Sequence, residues 1–347
     1  MIKTATLGGL DISSLVTSWG DIERTKNLIL GQDELFVSEH TIILGNKGHW
    51  GDPGGAASSA KGMDWSGEVF ELLVDGRIVF SGTVVNLKPG AVSQEVRLVA
   101  QNRLKAAAEE TVAVNLSAVN PGAVMLAALD QTHAKNYIDR LSFMRAGMFR
   151  ENQGVLLNAN YPQGQNHTAL EVLQDVGDLA SISVLEEAGK ITASAFQPYQ
   201  GSGAGLGFPI TDAIARDWDE WERDPTAYKN RVKMGYPTDA YETLDDLESQ
   251  KRNQKIIRSK DFSAGGPLVA AGKGAALALG QIYLSRSALR RATTRVTGGP
   301  QLVGTQLGDR FPITSVSLSV SGYPVETIGI RLALDDENVQ LTLAQIA

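Results

Sequence analysis

Alternation of apolar and polar residues predicts antiparallel β structure in the first third of the chain. The runs Val69 to Val74 and Arg77 to Val85 are rich in β-branched and aromatic residues, and they flank Asp75-Gly76. An Asp-Gly pair between two such runs favours the type I′ turn, whose twist matches that of the strands. The pattern therefore predicts a tight hairpin.

Two further runs extend this β region. Glu95 to Ala100 alternates so that Val96 and Leu98 would be buried, which makes it the third strand of a meander. A meander needs more strands to cover its face, and Glu39 to Leu44 is a further candidate. The stretch from Gly45 to Gly62 is rich in Gly and Ser, and we interpret it as an exposed loop.

The apolar period changes from two to about 3.6 in the middle of the chain. Asn120-Pro121 joins a capping residue to the residue best tolerated at the first helical position, which predicts a helix over 121–134. Thr168 and Glu171 have the spacing of a capping box and predict a second helix over 168–180.

A hairpin is predicted next, because Ser183 to Glu186 and Lys190 to Phe196 flank Ala188-Gly189. The helix and the hairpin together form a small α+β module. Gly201 to Gly207 is a flexible, Gly-rich break.

The last third is predicted to hold a long Ala-rich helix followed by strands. The helix would span 267–294, with Arg290, Arg291 and Arg295 near its C-terminal end, where positive charge is favourable. Three strands are expected after it, separated by turns at Gly322-Tyr323-Pro324 and at 335–338. The strands would span 313–320, 325–333 and 339–346.

Composition narrows the classes of function. At 347 residues the chain should form two or three modules, and a formal charge of −7 argues against a nucleic-acid backbone as partner. Zero cysteines exclude disulfides and thiolate chemistry. We expect no secretory signal, because Met1 to Ala5 shows no basic region followed by an apolar core. We also expect no membrane-spanning segment, because the weakly polar run Gly266 to Leu284 fits a buried helix better.

Acidic residues surround two tryptophans between Asp217 and Asp224. Carboxylates beside tryptophans are typical of glycosidases and carbohydrate grooves. On a helix, however, Trp218 and Trp221 would share one face while the acids project elsewhere. We therefore expect packed aromatic rings under a solvated acidic face. The acidic block 217–248 and the basic block 251–260 would pair or face different neighbours in an assembly.

Other chemical motifs are incomplete. Gly203-Ala-Gly205-Leu-Gly207 lacks the spacing of a dinucleotide loop, and Gly272-Lys273 lacks that of a phosphate loop. The histidines lie far apart without metal-ligand spacing, so we expect neither a metal nor a cofactor, and for His167 a hydrogen-bonding role beside the Thr168 cap. The four histidines are His40, His49, His133 and His167.

Several segments taken together resemble the hub proteins of phage baseplates and tail tips, a family related to the N-terminal part of type VI secretion spike proteins. The resemblance rests on short sequence motifs that are typical of a fold, and not on catalytic or ligand-binding residues. These motifs are Thr41 to Asn46 with its Gly-rich loop, the hairpin Phe70 to Val84, the strand Val96 to Leu104, the helix Asn166 to Gly177, and Leu307-Gly308-Asp309 with the closing strands.

This resemblance implies an α+β, mainly antiparallel β fold with two β-barrel tube-type domains and an inserted α/β module. The expected units are an N-terminal barrel (1–110), an α+β module (111–200), a linking segment with acidic and basic blocks (201–265), and a long helix with a C-terminal β module that completes a second barrel (266–347). A homotrimer would then place six barrels in one ring. A ring of this kind removes exposed sheet edges and needs no reactive site.

The hub interpretation also implies partners and a location. The partners would be further copies of the chain, the tail tube or distal tail protein, a tip spike or fibre protein, and the tape measure protein. The location would be the tail tip or baseplate of the virion, with assembly in the host cytoplasm. Neither sequence-specific nucleic acid nor a catalytic residue is expected.

Three alternatives remain open from the sequence. One is a tail-associated cell-wall hydrolase with Glu220 and Asp224 as its carboxylates. Another is a carbohydrate-binding or receptor-binding tip module, and a third is a distal tail ring protein. The stacking residues of the binding module would be Trp50, Trp65, Trp218 and Trp221.

Overall fold

The computed structural model describes residues 1–25, 39–45, 65–89, 95–187, 189–197, 207–223, 228–288 and 292–346. The strands of these residues, in chain order, are β1 (Lys3–Leu7), β2 (Leu10–Asp11), β3 (Val16–Ser18), β4 (Asp21–Thr25), β5 (Glu39–Gly45), β6 (Val69–Val74), β7 (Arg77–Pro89), β8 (Glu95–Asn102), β9 (Val114–Val119), β10 (Leu157–Tyr161), β11 (Ile182–Glu187), β12 (Lys190–Ala195), β13 (Ile210–Thr211), β14 (Ala215–Trp218), β15 (Glu222–Arg223), β16 (Arg231–Tyr236), β17 (Ala240–Asp245), β18 (Ser259–Phe262), β19 (Leu268–Ala270), β20 (Ala292–Gly298), β21 (Arg310–Ser315), β22 (Val320–Ala333) and β23 (Asn338–Gln345).

Helices occupy the middle of the described chain. They are α1 (Arg103–Ala108), α2 (Pro121–Leu129), α3 (Arg140–Glu151), α4 (Ala169–Ala180), α5 (Leu247–Arg252) and α6 (Lys273–Ser287), with short 3-10 turns at Ser13–Leu15, His133–Tyr137 and Pro300–Leu302.

Two large, mainly antiparallel sheets carry the architecture. The first has the order β2-β1-β6-β7-β8-β5-β3, and the second has the order β13-β21-β22-β23-β20-β14, with β4 beside β22 and β15 beside β20. One sheet curves into a half-barrel and the other into a nearly closed barrel. The predicted α+β class with barrel-type β structure is therefore confirmed.

Apolar side chains form two main cores. Both large sheets contribute to the first core, in which Ile42 and Leu72 come from the first sheet and Val325 and Leu341 from the second. The helices and the three small sheets surround the second core. The two large sheets thus pack as one body on a common apolar interior, and the helical module has an interior of its own.

The Asp75-Gly76 hairpin is confirmed. Val74 pairs with Arg77, and both turn residues have positive φ angles, 49° for Asp75 and 76° for Gly76, as a type I′ turn requires. Glycine adopts this conformation without a Cβ penalty, and aspartate tolerates it better than most residues.

The strands predicted next to this hairpin are confirmed as well. β6, β7 and β8 form the predicted meander, and β5 pairs with β8. Val96 and Leu98 are buried while Glu95 and Arg97 are exposed, as the alternation requires. The predicted loop at 45–62 lies outside the described residues, apart from Gly45.

The middle helices begin where the sequence predicts. Asn120 accepts a hydrogen bond from the Ala123 N–H at 3.0 Å and caps α2. That helix ends at Leu129 rather than at residue 134, because Thr132 caps a new 3-10 turn by accepting from the Ala134 N–H. The predicted hairpin over 183–196 is confirmed by β11 and β12, whose pairing runs from Ile182 to Ala195.

Half of the predicted capping box forms at α4. Thr168 accepts a hydrogen bond from the Glu171 N–H at 3.2 Å. The Glu171 carboxylate is instead 3.0 Å from Nδ1 of His167. The expected hydrogen-bonding role of His167 at the start of this helix is therefore confirmed.

The long helix predicted over 267–294 is wrong at both ends. Leu268–Ala270 is strand β19 beside β10, and Ala292–Gly298 is strand β20 beside β23. β20 contains three threonines and one valine, whose branched side chains favour the pleated sheet when a partner strand is present. Arg295 consequently pairs with Thr342 within the sheet instead of lying near a helix end, and Arg290 and Arg291 lie outside the described residues.

The predicted turn at Gly322-Tyr323-Pro324 is also wrong, since these residues lie within β22. The chain reverses earlier, at residues 316–319. Pro324 pairs with Pro312 one position before β22 begins to pair with β23 at Val325, so no ladder on that side requires the N–H that proline lacks. The turn predicted over 335–338 lies between β22 and β23, as expected.

Replacing Thr168 tests the α4 cap. We expect Thr168→Ala to lower the free energy of unfolding by about 1 kcal/mol, because the Glu171 N–H loses its acceptor. Thr168→Ser keeps the hydroxyl and is the matched control. Urea denaturation measures both variants, and equal losses in the two would contradict the capping role.

Candidate functional site

The chain crosses from the first large sheet to the second at Gly20, between β3 and β4. Gly20 has a φ angle of +65°, and a Cβ at this position would lie 2.5 Å from the backbone oxygen of Thr41. β4 then pairs with β22 from Gly329 to Ala333, beyond the point where β21 stops pairing at Glu326. An N-terminal strand thereby extends the C-terminal sheet, and we call this crossing, residues 18–21 with its contacts, the sheet junction.

Asp335, in the turn between β22 and β23, holds the sheet junction from the other side. Its carboxylate accepts hydrogen bonds from the Ser18 hydroxyl at 2.7 Å and from the Trp19 N–H at 2.9 Å. Burial acts to raise the pKa of Asp335, but the bonds from Trp19 and Ser18 outweigh it and hold this pKa below the usual range. The turn therefore serves as a cap for the crossing segment.

Lys3 adds a second link between the sheets. Its Nζ donates a 2.6 Å hydrogen bond to the Leu334 carbonyl and lies 3.5 Å from Glu337. The side chain of Lys3 extends from β1 of the first sheet to the β22–β23 turn of the second. Both contacts span more than 330 positions of sequence, so they exist only when the two sheets have docked.

A buried histidine lies directly beneath the sheet junction. His40 is 1% exposed, its ring centroid is 5.3 Å from that of Phe80 and 6.2 Å from that of Phe70, and its Nδ1 is 3.3 Å from the Asp21 carbonyl. Burial lowers the pKa of His40 from 6.5 to about 4, against the opposing effect of the Asp21 contact. His40 is therefore a neutral residue of the core.

Charged side chains connect the helical module to the first sheet. Arg103, at the start of α1, donates a 2.8 Å hydrogen bond to the Gly189 carbonyl and lies 3.9 Å from Glu186. Glu186 accepts a 3.0 Å hydrogen bond from the Leu104 N–H. Burial raises the pKa of Glu186, although Leu104 and Arg103 oppose this. The β11–β12 hairpin is thus held against the end of β8 by polar contacts with little water around them.

A cleft of 490 Å³ opens between the β6–β7 turn and the loop before β21. Arg24 lies at its inner end and donates a hydrogen bond to the Val79 carbonyl. Burial lowers the pKa of Arg24, with Glu187 and Glu186 opposing. The charged residues of the lining are Arg24, Arg77 and Glu187, and the others are glycines, two neutral polar residues and apolar residues such as Ile330 and Leu332. With Glu187 as its one carboxylate, this lining lacks the second acid or base group of a hydrolytic centre.

The helix expected around Trp218 and Trp221 is wrong, because these residues lie in and beside the short strands β14 and β15, which pair with β20. Both rings are half-buried and pack against the core of the large sheets. Glu220 is exposed, and Asp224 lies outside the described residues. The expected packed aromatic rings beside exposed acids are therefore found, in and between two short strands in place of a helix.

The remaining candidate residues are scattered. Trp65 is 1% exposed and belongs to the core, and Trp50 and His49 lie outside the described residues. His133 is exposed and lies 2.9 Å from Glu110, whereas His167 bonds to Glu171. Among the described residues, no group of acidic and histidine side chains could hold a metal ion. Within the same residues, no helix has the length and apolarity needed to cross a membrane.

Sequence reasoning missed the sheet junction. The sequence offered little sign of it, because Gly20 is one of 36 glycines. Asp335 lies among other acidic residues in a turn, where such residues are common. The strand character of Asp21 to Thr25 was also missed, since three of its five residues are charged, as the edge of a sheet allows.

Proteins of known structure share this fold. The tail protein from Neisseria meningitidis MC58 has a TM-score of 0.62 at 14% identity, covering 99% of this chain and 96% of that chain. The 43 kDa tail protein of prophage MuSo2 from Shewanella oneidensis has a TM-score of 0.58 at 11% identity, covering 99% and 97%. A component of the type VI secretion system from E. coli, with structural similarity to T4 bacteriophage tail proteins, has a TM-score of 0.50 at 12% identity, covering 99% and 76%.

These similarities lie in structure rather than in sequence. No family model matches the sequence, and no curated protein matches it. At such low identity the similarity shows the fold, which is that of phage tail proteins and of a type VI secretion component. The resemblance inferred from the sequence motifs is confirmed at this level.

Replacing Gly20 tests the sheet junction. We expect Gly20→Ala to lower the free energy of unfolding by about 3 kcal/mol or more, because a methyl group would meet the Thr41 backbone oxygen in addition to the cost of a positive φ. Gly67→Ala is the matched control, since Gly67 has a φ of +84° and nothing within 4 Å of its Cβ position. Equal losses in chemical denaturation would show that the crossing tolerates the extra group.

Lowering the pH tests the burial of His40. The unfolded chain binds the imidazole proton near pH 6.5 and the folded chain near pH 4, so the stability that His40 contributes is present above pH 6.5 and decreases between these values. The total loss is about 3 kcal/mol. His40→Gln should flatten the dependence of unfolding free energy on pH in this window. Parallel curves for the two proteins would contradict a buried neutral imidazole.

Proposed function

We propose that this chain, which has the fold of phage tail proteins, is the baseplate or tail-tip hub of a long-tailed phage or phage-like particle. In this role it closes the tail tube and adapts it to the tip or spike. The observation that supports this most directly is the presence of two large curved sheets, within one chain, on one common core. Three such chains supply six barrel-type units, the number that a pseudo-sixfold ring requires.

The ends of the sheets support assembly into a ring. The first sheet ends in β2 and β3, of two and three residues, and the second ends in β13 and β14, of two and four residues. Short edge strands limit unwanted pairing with other chains while the subunit is free. In a closed ring the neighbouring subunits cover these edges, so the assembled state leaves few unpaired backbone groups.

The function we propose is geometric and requires no bond to be made or broken. The tail tube or a distal tail protein would bind above the ring, and a spike or fibre protein below it, while the tape measure protein would end at its channel. We place the chain at the virion tail tip after assembly in the host cytoplasm. Within the chain, the two large sheets, which include β13 to β15, would supply the ring, and the module around the second core, which includes α6, would lie outside it.

The alternatives are less well supported. A hydrolase would need Glu220 beside a second carboxylate in a cleft, and Glu220 is exposed between the short strands β14 and β15. A carbohydrate-binding module would need exposed aromatic rings, and Trp65 is buried while Trp218 and Trp221 pack on the core. A distal tail ring protein has a closely related role, and the symmetry of the oligomer distinguishes it from a hub.

The oligomeric state tests the hub proposal. We expect native mass spectrometry of the purified chain to show a homotrimer, and we expect added salt to weaken it, because charged surfaces on subunits of net charge −7 must be matched across the interfaces. A hexamer would favour the distal ring alternative. A dimer at all salt concentrations would contradict the threefold hub.

A further inference from the structure

We infer that the outward face of α3 binds the acidic edge strand of a second copy of this chain. The α3 face consists of Leu141, Met144, Arg145 and Met148. The acidic edge consists of the exposed residues Asp217, Asp219, Glu220 and Glu222 with the half-buried Trp218 and Trp221. This inference rests on the hub proposal, and it names the surfaces through which neighbouring subunits meet.

The first observation is an apolar stripe on the solvent side of α3. Its inward side is buried through Phe143, Ala146, Gly147 and Arg150. A helix packed in this way normally presents polar residues outward. Leu141, Met144 and Met148 are instead 52%, 52% and 54% exposed, at the spacing i, i+3, i+7 that makes one continuous surface. Methionine side chains adapt their shape to a partner, which suits a binding face.

The middle of this face is positive, whereas Glu151 at the C-terminal end of α3 is acidic and accepts a 3.1 Å hydrogen bond from the Asn120 side chain. Arg145 lies within the stripe and is exposed. Arg140, at the start of the helix, forms an ion pair with Asp130 and so adds little net charge. An apolar stripe that carries an arginine matches a surface with aromatic rings and carboxylates, because arginine bonds carboxylates and stacks on aromatic rings.

The acidic edge has those properties. β14 and β15 pair only with β20 among the described strands, so they form one border of the second large sheet. Four acidic side chains are exposed along this border within six residues, and the half-buried rings of Trp218 and Trp221 lie between them. Binding energy at interfaces tends to concentrate in tryptophan and arginine, and methionine is enriched there relative to the rest of the surface.

The two surfaces belong to different parts of one chain. The buried side of α3 packs on the core of the helical module, whereas Trp218 and Trp221 pack on the core of the large sheets. A contact that joins two different surfaces of identical chains is heterologous, and it closes into a ring when the rotation between subunits is one third of a turn. Copies that each carry a charge of −7 need such a local match of opposite charge to associate.

Charge substitutions at Met144 test the sign of the partner surface. Met144→Glu and Met144→Lys both remove apolar area, and both residues favour helices to a similar degree. Against an acidic partner we expect the glutamate variant to dissociate at about tenfold higher concentration than the lysine variant in mass photometry on dilution. Trimers of equal strength in the two variants, or a weaker lysine variant, would overturn the inference.

Crosslinking tests which surfaces meet. Because the chain contains no cysteine, the introduced cysteine is the one thiol of each variant chain. A mixture of Met148→Cys and Glu220→Cys chains should give a crosslinked dimer with a short bismaleimide reagent. The matched mixture of Met148→Cys with Glu95→Cys, an exposed position on β8, should not. Crosslinking of Met148→Cys alone would show a twofold contact and overturn the inference.

These outcomes separate the inference from the hub proposal. A wild-type trimer that neither Met144 variant weakens, and whose Met148 and Glu220 positions do not crosslink, leaves the hub in place and removes the proposed interface. A wild-type chain that is not trimeric contradicts the hub itself. Circular dichroism of each variant confirms that it has folded before its assembly is compared.

Discussion

Docking of the two large sheets onto one apolar core is the interaction on which the other features of this protein depend. Each sheet alone would expose one apolar face, and neither has enough layers to bury it. The chain secures the docking by crossing between the sheets at Gly20, where it leaves the first sheet after β3 and joins the second as β4. Asp335 and Lys3 then fix the crossing with hydrogen bonds that exist only in the docked state.

The same constraint explains why polar groups gather at this place. Trp19 and Gly20 lie outside the strands where the chain changes sheets, and their backbone N–H groups need acceptors. Asp335 supplies one, and His40 beneath it stays neutral because burial makes the charged form costly. In the proposed hub, a rigid connection between the two barrel-type units would be an advantage, since any hinge there would change the diameter of the ring.

Much of the local structure could be predicted from the sequence, and the reasons are physical. Local sequence patterns are enough to predict features that depend on residues close together in the chain. These features are the Asp75-Gly76 turn, the Asn120 and Thr168 caps and the 182–195 hairpin. The predictions were wrong where the structure of a segment depends on strands that are distant in sequence. The residues of β20 form a strand because β23 lies beside them. β22 continues through Pro324 because its pairing with β23 begins only at Val325, so no hydrogen bond to β23 requires an N–H at the proline. The sheet junction joins positions more than 300 residues apart, which no local pattern reveals.

Electron microscopy of the assembled chain tests the central claim, that two barrel-type units per chain form a closed ring. Averaged images viewed down the axis should show six similar barrels around one open channel, arranged with threefold symmetry. The helical modules should lie on the outside, at three positions. Isolated chains, or rings in which the number of barrels differs from six, would contradict the account.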